Sequence, residues 1–154
     1  MSIGFKAVAV VVLVAVSGCG EKEYAEYLNV HKVSEKTQAE LTRSFGPPDS
    51  VLEKTDTVDI LRWKDIDGDS THVYVIVRDD ISRYVTYTFR GMKPFDAKEA
   101  LKRVGIPWPE AEPEHVWEDG SKRWKPFDEY EKLVISHSNN AVSVGELLPL
   151  HGPE

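Results

Sequence analysis

The distribution of apolar and polar positions divides the chain into zones. Ala7 to Val16 is an unbroken run of ten residues without a polar side chain. As a helix such a run rises only about 15 Å, half the hydrocarbon thickness of a bilayer, so a permanent membrane span is not predicted. From Gly20 to Val33 the chain is charged, and Tyr24, Tyr27 and Leu28 fall at i, i+3, i+4. That spacing fits a short helix, and the composition fits a solvated tether equally well; fully extended, the stretch would span about 45 Å. Beyond it, helical spacing and strand-like alternation follow one another twice.

The first helix is expected to begin at Thr37-Gln38-Ala39-Glu40 and end at Ser44-Phe45-Gly46-Pro47-Pro48. The second should begin at Asp96-Ala97-Lys98-Glu99 and end at Arg103-Val104-Gly105-Ile106-Pro107. Each start reads as a capping box, and each stop as a glycine able to take a left-handed cap, with proline two residues on. Strands are predicted after each helix. The first set is 51–54, 58–64, 72–78 and 84–90; the second is 114–118, 121–125, 131–136 and 141–147. Asp119-Gly120 and Asn139-Asn140 supply hairpin turns in the second set. The residues from Thr37 to Pro48 match those from Asp96 to Pro107 at a constant offset of 59. Arg62-Trp63-Lys64 and Arg123-Trp124-Lys125 match again, shifted by two. The predicted fold class is α+β: two tandem α-β-β-β-β units, each an antiparallel meander covered on one face by its helix.

The order of elements resembles the β-lactamase-inhibitor-protein-like fold, whose founding inhibitor is a tandem αβ repeat. The opening of helix, Gly-x-Pro and strand is also similar to the SmpA/OmlA lipoproteins of the outer-membrane β-barrel assembly machine. The resemblance covers about residues 34–148 and implies architecture only; no binding residue is transferred from either family, and the SmpA/OmlA domain is a single unit.

Lys6, the apolar run and Ser17-Gly18-Cys19 form the three regions of an export signal. Val16-Ser17-Gly18-Cys19 resembles the bacterial lipobox, an aliphatic residue and two small ones before a cysteine. The resemblance implies a diacylglycerol thioether on Cys19, cleavage between Gly18 and Cys19, and acylation of the new amino group. A conventional signal peptide with an incidental cysteine is the competing reading; Cys19 being the only cysteine favours the lipobox. Two or three acyl chains anchor stably where one is marginal. Gly20 is not the Asp that marks inner-membrane retention in proteobacterial lipoproteins, so the outer membrane facing the periplasm is expected where the cell has one. The implied organisation is a signal peptide over 1–18, lipidated cysteine and tether over 19–33, a first unit over 34–92 and a second over 93–150.

The chain of 154 residues carries 19 basic and 26 acidic side chains, a net of -7. Removing residues 1–18 removes Lys6 and no acid, leaving a net of -8. Such a balance does not fit a nucleic-acid partner, which must be met by clustered Lys and Arg. It also leaves lipid rather than charge to hold the protein at an anionic membrane. One cysteine excludes an intrachain disulfide framework.

No chemistry is nominated by motif. Asp65-Ile66-Asp67-Gly68-Asp69 has the acids of a calcium loop but misplaces either the glycine or the acid at position 12, so a polar turn is expected. The five histidines, His31, His72, His115, His137 and His151, lack metal-ligand spacing. Ser136 and His137 are adjacent in a predicted strand and should point to opposite faces, which separates a nucleophile from its base. No catalytic residue, metal or cofactor is therefore expected. Pro107-Trp108-Pro109 to Pro113 reads as a stiff connector with Trp108 in an extended segment. Trp63 and Trp124, at matching positions, are expected to pack inside.

The functional lead is parity. If Val73, Val75, Val77, Val85, Tyr87 and Phe89 face the helices, then His72, Tyr74, Ile76, Tyr84, Thr86 and Thr88 share the other face. That mixture resembles the Tyr-rich composition of protein interfaces. A non-enzymatic, lipid-anchored envelope protein with a protein partner is expected, acting in envelope assembly or as an inhibitor or protector. The alternative is a lipid-anchored small-ligand-binding protein or hydrolase whose site is assembled from distant residues.

Overall fold

The computed structural model describes residues 28–68 and 70–145. The predicted signal, Gly18, Cys19, most of the tether, Asp69 and the residues after Gly145 lie outside the described residues. In chain order the elements are α1 (Val30–Val33), α2 (Gln38–Phe45), β1 (Ser50–Lys54), β2 (Val58–Trp63), β3 (Thr71–Arg78), β4 (Ile81–Phe89), α3 (Ala97–Arg103), β5 (His115–Val116), β6 (Lys122–Trp124), β7 (Leu133–Ser136) and β8 (Ala141–Val144). The fold is α+β, with one antiparallel sheet of eight strands in the order β1-β2-β3-β4-β8-β7-β6-β5.

Local chemistry explains the helix ends. At α2, Thr37 Oγ1 accepts from the Glu40 amide at 3.2 Å while the Thr37 amide donates to Glu40 Oε2 at 2.8 Å, a reciprocal capping box. These bonds hold the Glu40 carboxyl below its ordinary pKa. At α3 the expected box forms in its forward direction: Asp96 Oδ1 accepts from the Lys98 and Glu99 amides. The Asp96 amide, however, donates to Met92 Sδ, and Glu99 pairs with Arg103 one turn on. The C-termini differ too. Gly105, at φ 74°, closes a Schellman motif in which Ile106 N donates to Leu101 O and Gly105 N to Lys102 O. Gly46 has positive φ but extended ψ, -175°, so it leads the chain straight out toward β1 instead of forming a left-handed cap.

Strand alternation sets the faces. Leu61 and Trp63 on β2, Val73, Val75 and Val77 on β3, and Val85, Tyr87 and Phe89 on β4 are buried, as are Trp124, Leu133, Ile135, Val142 and Val144 across the other half. They form one cluster with Leu41 of α2 and Ala97, Ala100 and Leu101 of α3. The indole N–H groups within it are satisfied by backbone: Trp63 Nε1 donates to Gly46 O and Trp124 Nε1 to Ala111 O.

Leu28, Val30 and Val33, at the end of the stretch expected to be a tether, are buried in this core. Val30 N donates to Val104 O at 2.9 Å, and Ser82 Oγ donates to Val33 O at 2.6 Å. Among the described residues the core thus includes Leu28, Val30 and Val33 as well as residues from 34 onward.

β4 starts at Ile81, three residues before the expected position. Asp79 and Asp80 both have positive φ (51° and 62°), the requirement of a two-residue type I′ turn, so β3 and β4 pair almost to their tips. β4 and β8 pair antiparallel, with Val85 opposite Val144 and Tyr87 opposite Val142. That seam makes one sheet of the two meanders.

Candidate functional site

The face opposite the core is defined by register alone. One row crosses all eight strands: Ser50, Arg62, Tyr74, Thr86, Ser143, Val134, Arg123 and His115. On one side of it lie Ile60, Ile76 and Tyr84; on the other lie His72, Thr88, Ala141 and Ser136. The six residues nominated from the sequence, His72, Tyr74, Ile76, Tyr84, Thr86 and Thr88, thus occupy adjacent positions on one face of β3 and β4. Arg62, Arg123, His115, Ser143 and Ser136 join them only because β2, β8, β7, β6 and β5 are aligned in this order. Arg62 shares the parity of Tyr74 through a neighbouring strand, a signal available in the sequence; the rest required the β4–β8 seam.

Tyr74, Ile76, Tyr84, Thr86 and Thr88 are half-buried. Tyr84 is held in place: its hydroxyl donates to Glu131 Oε2 at 2.9 Å, and Lys132 Nζ lies 5.1 Å from its ring centroid. The bond from Tyr84 lowers the Glu131 carboxyl below its usual pKa, with Lys125 and Lys132 assisting. Thr86 Oγ1 and Ser143 Oγ are 2.9 Å apart across the seam.

His72, on the same face, is only 8% exposed. Its Nδ1 is buried without a hydrogen-bond partner among the described residues. Burial, followed by the positive charges of Arg90, Arg62 and Lys64, lowers its pKa, with Asp65 opposing them.

At the β5 side the same face opens into a groove of about 740 Å³ lined by His115, Trp117, Asp119, Ser121, Val134 and Ser136, among others. His115 and Trp117 meet edge-on at 4.7 Å between ring centroids, and Arg123 lies 5.8 Å from the Trp117 ring. Asp119 is committed to its turn, taking the Ser121 amide and hydroxyl at 2.9 and 2.8 Å, which lowers its carboxyl pKa. Ser136 lines the groove, whereas the His137 ring packs edge-on against Phe95 at 5.4 Å. Serine and imidazole do not converge.

Asp65 and Asp67 accept the backbone amides of Ser70 and Thr71 at 2.8 and 3.2 Å, so they shape a turn. No group of three or more His, Cys, Asp or Glu side chains suited to a metal occurs among the described residues. Trp108 is 40% exposed, packed edge-on against Trp124, with Lys98 and Lys122 near its ring. Among the described residues no helix is long and apolar enough to cross a membrane. No family model, curated protein or solved structure matches this chain.

Proposed function

We propose that this chain is a lipid-anchored envelope protein, attached through Cys19, that binds a protein partner with the polar face of its sheet. The observation that carries the reading is the composition of that face. A continuous row of Arg62, Tyr74, Thr86, Ser143 and Arg123 runs opposite a predominantly apolar core face. Tyr and Arg are the residues that concentrate binding energy at protein interfaces. Attachment rests on the resemblance of Val16-Ser17-Gly18-Cys19 to a lipobox. The outer membrane facing the periplasm is its expected location in a cell with two membranes.

The two meanders also fit the reading of one α-β-β-β-β unit used twice, each with its helix over the core face. Supporting it are the 59-residue offset and the matching roles of Trp63 and Trp124, each donating its indole N–H to the segment after the preceding helix. A small-ligand role has one supporting observation, the groove beside Trp117.

The anchor is tested by Cys19→Ala. The expected outcome is a chain released from membranes by a high-salt wash; a variant that still sediments with membranes contradicts the lipid assignment.

A further inference from the structure

The net charge of the chain conceals an inversion on the polar face. Although the whole sequence is acidic, Arg62 on β2, Lys64 just past β2 and Arg90 just past β4 all act on His72 of β3 with their positive charge. Parity carries Arg62 and Lys64 to the same side of the sheet as Tyr74, and Arg90 follows Thr88 on that side. Lys64 is the residue after Trp63, which pairs with Val73, so it stands beside His72. The Arg90 amide donates to Ser70 O, which keeps the β3–β4 ladder going to this end.

The three cations there form no ion pair among the described residues. Arg62 Nε donates to a neutral hydroxyl, Ser50 Oγ, at 2.9 Å. The acids at this end are taken up by backbone amides: Asp49 Oδ2 accepts from Lys64 N at 2.6 Å, Asp65 Oδ1 from Ser70 N at 2.8 Å and Asp67 Oδ1 from Thr71 N at 3.2 Å. Glu53 lies on the same face but a row further on, opposite Ile60. Three cations near a nearly buried imidazole repel one another, and that repulsion is relieved when an anion arrives. Burial first, and then these same three cations, lower the His72 pKa.

We infer that this pole of the face, Arg62, Lys64 and Arg90 around His72, receives an acidic segment of a protein partner. The inference rests on the reading of the polar face as a protein-binding surface and gives it a direction: acidic side chains at this end, with the rest of the partner on Tyr74 and Thr86. A protein is favoured over a lipid or nucleic-acid anion by two features. The cations are interleaved with Tyr74 and Thr88 rather than clustered alone, and the acidic remainder of the chain repels extended polyanions.

The probe is a fluorescein-labelled octapeptide of alternating Glu and Tyr, titrated by anisotropy against the full chain in dodecyl maltoside. Binding is expected, weakening as salt is raised. Arg62→Gln with Lys64→Gln and Arg90→Gln should weaken it at least tenfold with an unchanged melting curve, while Lys98→Gln with Lys102→Gln on α3 should not. Bound peptide should also raise the His72 pKa, read from its ring proton shifts. Absence of binding, or equal binding of a Lys-Tyr octapeptide, overturns the inference. If the triple variant binds normally but Tyr74→Ala does not, the cationic pole is wrong and the face is right; if neither matters, both readings fall. Preference for phosphatidylglycerol over phosphatidylcholine vesicles, lost in the triple variant and without peptide binding, would assign the pole to a membrane and also overturn it.

Discussion

Tyr87 shows what strand parity does to a polar atom. The residue belongs to the apolar stripe of β4, opposite Val73 on one side and Val142 on the other, and its side chain is fully buried. Its hydroxyl has no partner among the described residues, and burial pushes its pKa well above the ordinary tyrosine value. An unmatched buried hydroxyl is a liability that a same-shaped apolar ring avoids. Tyr87→Phe should therefore leave stability unchanged or raise it by about 1 kcal/mol, a few degrees in thermal melting. A clear loss of stability would reveal a partner for that hydroxyl. Ser82, brought to the core side by the register shift at Ile76/Val77, is the opposite case: its buried Oγ donates to Val33 O and accepts from the Lys36 amide.

At the scale of elements, the hairpin between β3 and β4 carries a local conflict. Asp79 and Asp80 are both left-handed, and two adjacent carboxylates repel. Asn-Gly is the preferred pair for this turn, and a left-handed conformation costs a non-glycine residue roughly 1–2 kcal/mol. Asp79→Asn with Asp80→Gly is expected to stabilise the fold by about 1 kcal/mol, measured by urea denaturation, without changing the strand register. A loss of stability would mean that the carboxylates make contacts essential to the turn. This turn also marks the limit of the sequence reading. The strands of the first half were legible because β-branched and aromatic residues alternate without interruption, and Asp119-Gly120 announced its own turn. Asp-Asp announces nothing, so β4 was expected to begin late. α2 and α3 were legible from their caps, but Met92 competing for the Asp96 amide involves a side chain whose position depends on the chain's path. The burial of Leu28, Val30 and Val33 was hidden for a related reason: three apolar residues in a charged stretch find their partners, Val104 and Ser82, far along the sequence.

For the whole molecule, the decisive step is the β4–β8 seam. Hydrophobic patterning says which face of each strand is buried, but not which edge strand it joins, because edge hydrogen-bonding groups are alike in every strand. Once β4 and β8 pair, residues nominated separately become one surface, from Arg62 to Arg123. Across the seam Arg123 is ion-paired with Glu114 at 3.0 Å, and the candidate site was legible only in the half where β3 and β4 already lie side by side. The most direct test is site-specific photocrosslinking in intact cells, with a benzophenone amino acid in place of Tyr74 on the polar face or of exposed Arg43 on α2. The account predicts an adduct of one discrete protein mass from position 74 and none from position 43. Adducts of the same mass from both positions, or from position 43 alone, would contradict it.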